Sequence, residues 1–120
     1  MNFQTAVKTC FQKYATFSGR ALRSEYWWWF LFVLLLNIAS ATLDASMIGD
    51  IDGPISAILA IGLLLPNLAV SVRRLHDIDR SGWWFLILLI PLVGLIMFIF
   101  WMCQESTYGA NKYGNDPREA

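Results

Sequence analysis

The sequence predicts an all-α membrane protein. Three transmembrane helices follow an N-terminal interfacial amphipathic helix and precede a turn-rich C-terminal tail, all in one membrane domain, 1–120. Three observations carry this. Hydrophobic residues make up 57% of the chain and charged residues 15%, against about a quarter charged in soluble domains. The charges are also confined: Tyr26–Leu43, Gly53–Val72 and Ser81–Gln104, windows of 18, 20 and 24 residues, contain none. A helix needs about 20 apolar residues to cross a hydrocarbon core of roughly 30 Å. A soluble chain of 120 residues would have too little left to cover three helices that are apolar all round. Thirdly, Lys and Arg are unevenly placed. Residues 1–25 carry Lys8, Lys13, Arg20 and Arg23, and the 73–80 connection carries Arg73, Arg74 and Arg80. The 44–52 loop carries only Asp44, Asp50 and Asp52, and the tail carries Lys112 and Arg118. With three spans and the N-terminus inside, seven basic residues lie inside and two outside, which predicts a cytoplasmic N-terminus and a periplasmic C-terminus.

The elements follow in order. Over 2–17, Phe3, Val7, Cys10, Phe11, Tyr14 and Phe17 recur at helical spacing, with Gln4, Lys8, Gln12 and Lys13 elsewhere on the wheel. Such a helix suits the headgroup layer, or packs on a partner's apolar surface. Ser18-Gly19 ends it. The first span, 26–43, carries polar-tolerant Asn37, Ser40 and Thr42. Ala39-Ser40-Ala41 has the look of a signal-peptidase site, but 25 preceding residues patterned like structure are long for an n-region, so the segment is expected to stay uncleaved. The second span, 54–72, contains Pro66, which should kink or divide it. Asn37 and Asn67 lie about 16 Å and about 9 Å from the inner ends at 1.5 Å per residue. They are therefore not expected to pair; Asn67 can satisfy backbone freed by Pro66, or each can bond across a helix interface. The third span is 83–103. Its Pro91 and Gly94 leave open a re-entrant dip that would return the 104–120 tail to the inside. That tail, through Tyr108–Pro117, is turn chemistry.

Two segments echo each other: Arg23-Ser24-Glu25-Tyr26-Trp27-Trp28 and Arg80-Ser81-Gly82-Trp83-Trp84. Ser24 and Ser81 suit helix N-caps, and the paired indoles Trp27/Trp28 and Trp83/Trp84 suit a membrane interface. Both spans should then start at the same face. Cys10 and Cys103 fall at opposite faces of a three-span chain and cannot bridge, and no Cys/His spacing suggests a metal.

The candidate site is Arg73–Trp84, RRLHDIDRSGWW, which holds the chain's one histidine. If the second helix runs past Val72, then Arg73, His76, Asp77 and Arg80 share one face at i, i+3, i+4 and i+7. Three readings follow. In the structural one, the arginines fix orientation, Asp77 pairs with Arg73 or Arg80, and Glu25 pairs with Arg74. In the second, Arg73, Arg74 and Arg80 with Arg20 and Arg23 clamp the phosphate of an anionic phospholipid. In the third, a lipid-modifying enzyme uses His76 as general base, oriented by Asp77 or Asp79. No second histidine, nucleophile elbow, metal cluster or glycine-rich phosphate loop accompanies it. The expected partners are the lipid bilayer, anionic phospholipid, and another membrane protein or further copies of this chain. No cofactor, metal or nucleic acid is expected. A transport path within one chain is not expected either, since no span carries a charge in its middle.

The same residues carry a resemblance. Phe17-Ser18-Gly19-Arg20-Ala21-Leu22-Arg23-Ser24-Glu25-Tyr26-Trp27, Leu65-Pro66, Arg73-Arg74-Leu75-His76-Asp77, Arg80-Ser81-Gly82-Trp83, Pro91 with Gly94, and Gly109-Ala110-Asn111-Lys112-Tyr113-Gly114-Asn115-Asp116-Pro117 resemble the domain-of-unknown-function 805 family of small bacterial inner-membrane proteins. The match runs from Phe17 to Pro117 in order. It implies an inner-membrane location and an uncleaved first span, and it supplies no reaction, substrate or cofactor. Tyr26-Trp27-Trp28-Trp29 is richer in tryptophan than the family's pattern, and Gln104–Thr107 is poorer in glycine. The function expected is binding or assembly at the cytoplasmic face, through Arg73–Arg80 and Arg20/Arg23.

Overall fold

The computed structural model describes residues 2–51 and 53–117. Asp52 and Arg118, both counted in the charge asymmetry, lie outside the described residues. Every regular element among the described residues is helical: α1 (Phe3–Gln12), α2 (Arg23–Ile48), α3 (Pro54–Asp77), a 3₁₀ segment (Gly82–Leu89) and α4 (Val93–Cys103).

Two helices, α2 with 26 residues and α3 with 24, are long and apolar enough to cross a membrane. At 1.5 Å per residue they reach about 39 and 36 Å. Only 11% of α2's most apolar stretch and 28% of α3's is buried. Phe30, Leu34, Ile38, Ile58, Ile61 and Leu64 instead present an apolar belt outward, a surface that water would not tolerate and lipid covers.

At its start, α2 is not capped by Ser24, as the sequence suggests. The N-cap is Leu22, with no side-chain bond, and the entry is tied down by Ala21 N–H donating to the Arg73 carbonyl at 3.0 Å. At its other end α2 outruns the expected 26–43 span and closes on Gly49 in the left-handed region, φ 85°. Asp44, on this extra turn, accepts the N–H groups of Ile55 (3.2 Å) and Ser56 (2.9 Å), so one helix caps the next. A Cβ at Gly53 would lie 2.6 Å from the Asp44 side chain, which leaves room for glycine alone.

Pro66 neither divides α3 nor relies on Asn67. Proline has no N–H for the carbonyl four residues back, and the Tyr14 hydroxyl donates to that carbonyl, Gly62 O. Asn67 instead accepts from Trp29 Nε1 at 2.7 Å, across the α2–α3 interface. Asn37 lies exposed on α2's outer face.

Asn2 caps α1 by accepting from Thr5 N–H at 2.8 Å. Phe3 and Phe11, about 12 Å apart along the helix, both reach the Phe32 ring, at 6.2 and 5.8 Å. The helix therefore crosses α2 rather than running beside it. Cys10 packs with Trp29, Leu63 and Val70, so part of α1's apolar face is covered within the chain. Gln4, Lys8 and Gln12 face outward.

The third expected span, 83–103, is not one continuous helix: the 3₁₀ segment ends at Leu89, and α4, of 11 residues, is about 16 Å long, half a bilayer core. The two halves fold back on each other. Trp84 meets Trp101 at 5.7 Å and Phe85 meets Phe98 at 5.6 Å, an antiparallel register. At the bend, Val93 N–H donates to the Pro91 carbonyl at 2.7 Å, a γ-turn centred on Leu92 with φ 62° and ψ −63°, an uncommon and strained geometry. Gly94 is the contact point, since a Cβ there would fall 1.8 Å from the Ile87 carbonyl oxygen. The reason lies in Ile90-Pro91-Leu92-Val93-Gly94: proline interrupts the helix, and glycine lets the backbones touch.

Candidate functional site: a buried arginine–carboxylate cluster

The hairpin delivers Met102, Cys103 and the tail to the end of the bundle where α2 begins and α3 ends. Trp27 Nε1 donates to Met102 O at 3.1 Å, and Arg23 Nη1 to Cys103 O at 3.1 Å. Cys103 therefore sits at the Arg23 end, not at the face opposite the N-terminal segment. It and Cys10 are both free thiols.

At this end six charged side chains, Arg20, Glu25, Arg73, Arg74, Asp77 and the tail's Asp116, are buried, none more than 7% exposed, and Asp116 accepts the N–H of Gly109 at 3.0 Å. α3 does run past Val72, ending at Asp77, so Arg73, Arg74, His76 and Asp77 ride on a helix while Arg80 does not. The pairing differs from the sequence expectation in each partner. Glu25 takes Arg73 Nη1 at 2.6 Å. Asp77 takes Arg74 Nη1 at 2.8 Å through Oδ2 and Arg20 Nε at 3.0 Å through Oδ1. The Ser106 hydroxyl also donates to Asp77. The deciding residue is Arg20, 57 positions away, which no helical spacing on α3 reveals.

Each guanidinium also gathers backbone carbonyls. Arg20 donates to Thr107 O at 2.7 Å and Gly109 O at 2.8 Å. Arg74 donates to Met102 O and Gln104 O, and Arg73 donates to Thr16 O at 3.2 Å. Thr107 N–H returns a bond to Asp77 O at 2.8 Å. Three arginines stand against three carboxylates, with Asp116 reaching the cluster through Gly109, so the buried charges at this end balance. Arg73 Nη2 is its one buried side-chain polar atom without a partner among the described residues. The neighbouring Cys10 thiol is pushed up to about 12, chiefly by burial and then by Glu25, against the opposing pull of Arg73.

His76 and Asp77 do not form a dyad. His76 Nδ1 lies 3.0 Å from the Gly19 carbonyl, and its ring stacks on Tyr113 at 4.0 Å and 3°. Asn111 Nδ2 donates to the His76 carbonyl at 3.0 Å, so the tail clasps this residue on two sides. Arg80 lies over Trp101 at 4.5 Å and Trp84 at 5.8 Å. Arg23 is outermost, 3.8 Å from Glu105 with both side chains exposed. Of the expected anchors, Trp83 is 79% and Trp84 48% exposed, while Trp27 is half-buried and Trp28 meets Phe3 edge-on at 5.8 Å. Ser81 caps as expected, accepting from Trp83 N–H at 3.3 Å. Sequence reasoning missed Ser106, Thr107, Asn111 and Tyr113; they lie in turn-rich sequence without periodicity, and only the fold-back brings them to the cluster.

An all-helical chain with two apolar helices of spanning length, an outward apolar belt and a charge cluster buried at one end is a small integral membrane protein. Its sequence matches, over residues 14–115, the family described as "Protein of unknown function (DUF805)", and the chain belongs to that family. Inner membrane protein YhaI of Escherichia coli strain K12 is 40% identical over 109 residues, covering 89% of this chain and 90% of its own. Inner membrane protein YhaH of the same strain is 40% identical over 111 residues, covering 89% and 91%. Uncharacterized protein YiiR, also of that strain, is 28% identical over 134 aligned positions, covering 87% of each chain. No solved structure matches the chain.

Proposed function

We propose that the chain is a two-span inner-membrane protein with both terminal segments at the cytoplasmic face, and that it works there as a binding and assembly module for anionic phospholipid headgroups. The carrying observation is charge placement. Every described Lys and Arg belongs to α1, the α1–α2 connection, the first turn of α2, the end of α3 and its exit, or the tail, while the opposite end holds Asp44 and Asp50 and no base. With the hairpin folded back, the basic excess is all on one side, a stronger cytoplasmic bias than three spans give.

The division of labour among the bases follows from burial. Arg20, Arg73 and Arg74 are occupied by carboxylates and carbonyls: Arg20 and Arg74 hold the tail to the bundle, and Arg73 ties the α1–α2 connection and the start of α2 to α3. Lys8, Lys13, Arg23 and Lys112 are exposed around them, where each base near an anionic leaflet contributes about 1 kcal/mol. Arg80, half-buried on two indoles, marks the interface depth.

Native mass spectra in mild detergent test this. The wild type should carry discrete phosphatidylglycerol adducts and few phosphatidylcholine adducts. A Lys8→Gln/Lys13→Gln/Arg23→Gln/Lys112→Gln variant, which leaves the buried cluster intact, should lose them. Adducts indifferent to the four substitutions would overturn the headgroup reading.

A further inference from the structure

The folded-back segment makes a second feature at the same end. A cleft of about 480 Å³ opens between α3 and the 3₁₀ segment, lined chiefly by Leu68, Val72, Phe85 and Leu86, with His76 and Ser81. Its polarity runs lengthwise. Leu68, Val72 and His76 are successive i, i+4 positions on α3, so the imidazole lies at the cluster end and Leu68 about 12 Å deeper. Ser81 starts the facing segment, and Phe85 and Leu86 follow inward. The size is that of a ligand site with an apolar body and a few convergent polar groups.

The polar end is neutral. None of the lining residues is an Asp, Glu, Lys or Arg, and the nearby arginines are committed: Arg73 to Glu25, Arg20 and Arg74 to Asp77, and Arg80 to the indoles. A carbonyl oxygen can only accept, so the His76 Nδ1 facing Gly19 O carries the proton. The other ring nitrogen, Nε2, is then a hydrogen-bond acceptor. The Ser81 oxygen accepts from Trp83 N–H, which leaves its O–H to donate. A phosphate oxygen would meet a lone pair at His76 and no cation. A hydroxyl, which donates and accepts at once, matches both groups.

We propose that this cleft binds a neutral lipid with a free hydroxyl head, of the diacylglycerol kind. The hydroxyl sits between His76 Nε2 and Ser81 Oγ, and one acyl chain lies against Leu68, Val72, Phe85 and Leu86. The proposal takes from the preceding section only that the chain is embedded in lipid; it is independent of which face is cytoplasmic and of the exposed bases.

The test is made on purified full-length protein in mild detergent, by native mass spectrometry with 1,2-dioleoylglycerol and with its O-acetylated ester, which has the same chains and no hydroxyl donor. A saturable dioleoylglycerol adduct is expected, with the ester bound about fivefold or more weakly, the fold-change of one lost hydrogen bond. His76→Phe keeps a ring to stack on Tyr113 and should equalise the two ligands. Leu68→Trp should reduce both by filling the apolar end. The four-base variant should bind dioleoylglycerol as the wild type does, which separates failure of this proposal from failure of the headgroup reading. Equal binding of alcohol and ester by the wild type, no saturable adduct, or preference for phosphatidic acid would each overturn the hydroxyl-recognising site.

Discussion

Replacing Asp77 by Asn is the sharpest perturbation of the buried cluster, because it changes charge while conserving shape. Asp77 is fully buried and compensates Arg20 at 3.0 Å and Arg74 at 2.8 Å. The cluster holds Arg20, Arg73 and Arg74 against Glu25, Asp77 and Asp116; losing one carboxylate leaves one positive charge uncompensated. Removing one partner of a buried ion pair costs about 3–5 kcal/mol, since the remaining charge stays desolvated. For a chain of this size that corresponds to a fall in Tm on the order of 10–20 °C. Thermal unfolding in detergent, followed by tryptophan fluorescence, reads it. Adding Arg20→Gln restores the charge balance, so the double variant should be more stable than the two single losses sum to, by about 1 kcal/mol or more. Tail release supplies a second readout: trypsin should cut after Lys112 faster in Asp77→Asn than in wild type. A cost below about 1 kcal/mol, or additive losses, would refute the view that this carboxylate holds a buried, charge-balanced tie.

Gly94→Ala places a Cβ 1.8 Å from the Ile87 carbonyl, so it should open the hairpin and lower Tm, whereas Leu92→Gly relieves the positive φ of 62° and should raise stability by about 1 kcal/mol. Tyr14→Phe strips the Gly62 carbonyl of its substitute donor and should cost about 1–3 kcal/mol in the same melt. Cys10 is buried, with its thiol pushed up to about 12, so a maleimide at pH 7 should label Cys103 alone in folded protein; Cys103→Ser should abolish labelling until the protein is denatured.

What the sequence revealed divides along local and non-local lines. The helices α2 and α3 are legible because their uncharged windows approach bilayer length, and Ser81 is legible as a cap because capping is local. Ser24 failed as a cap because a tertiary bond from Ala21 to Arg73 already fixes the start of α2. The pairing within the Arg73–Arg80 run is not legible in the sequence: Arg20 comes from the α1–α2 connection and Glu25 from the first turn of α2, and how these meet α3 depends on α1 crossing α2. Pro91 and Gly94 signalled a break without deciding between a bent span and a fold-back; contacts between Trp84 and Trp101 and between Phe85 and Phe98 settle that geometry. The tail's role was invisible, since backbone carbonyls carry much of it and every residue type offers one.

The fold-back puts the tail beside Asp77, and hence on the side of the N-terminal segment, so the side of the tail is the most direct measurement. Tyr108 is 89% exposed; Tyr108→Cys in a Cys10→Ser/Cys103→Ser background can be probed with a membrane-impermeant maleimide in spheroplasts and in inverted vesicles. Labelling in inverted vesicles alone is the result a two-span chain with its tail at the cytoplasmic face requires. Labelling in spheroplasts would mean that residues 83–103 cross the membrane and would contradict the two-span, tail-tied architecture.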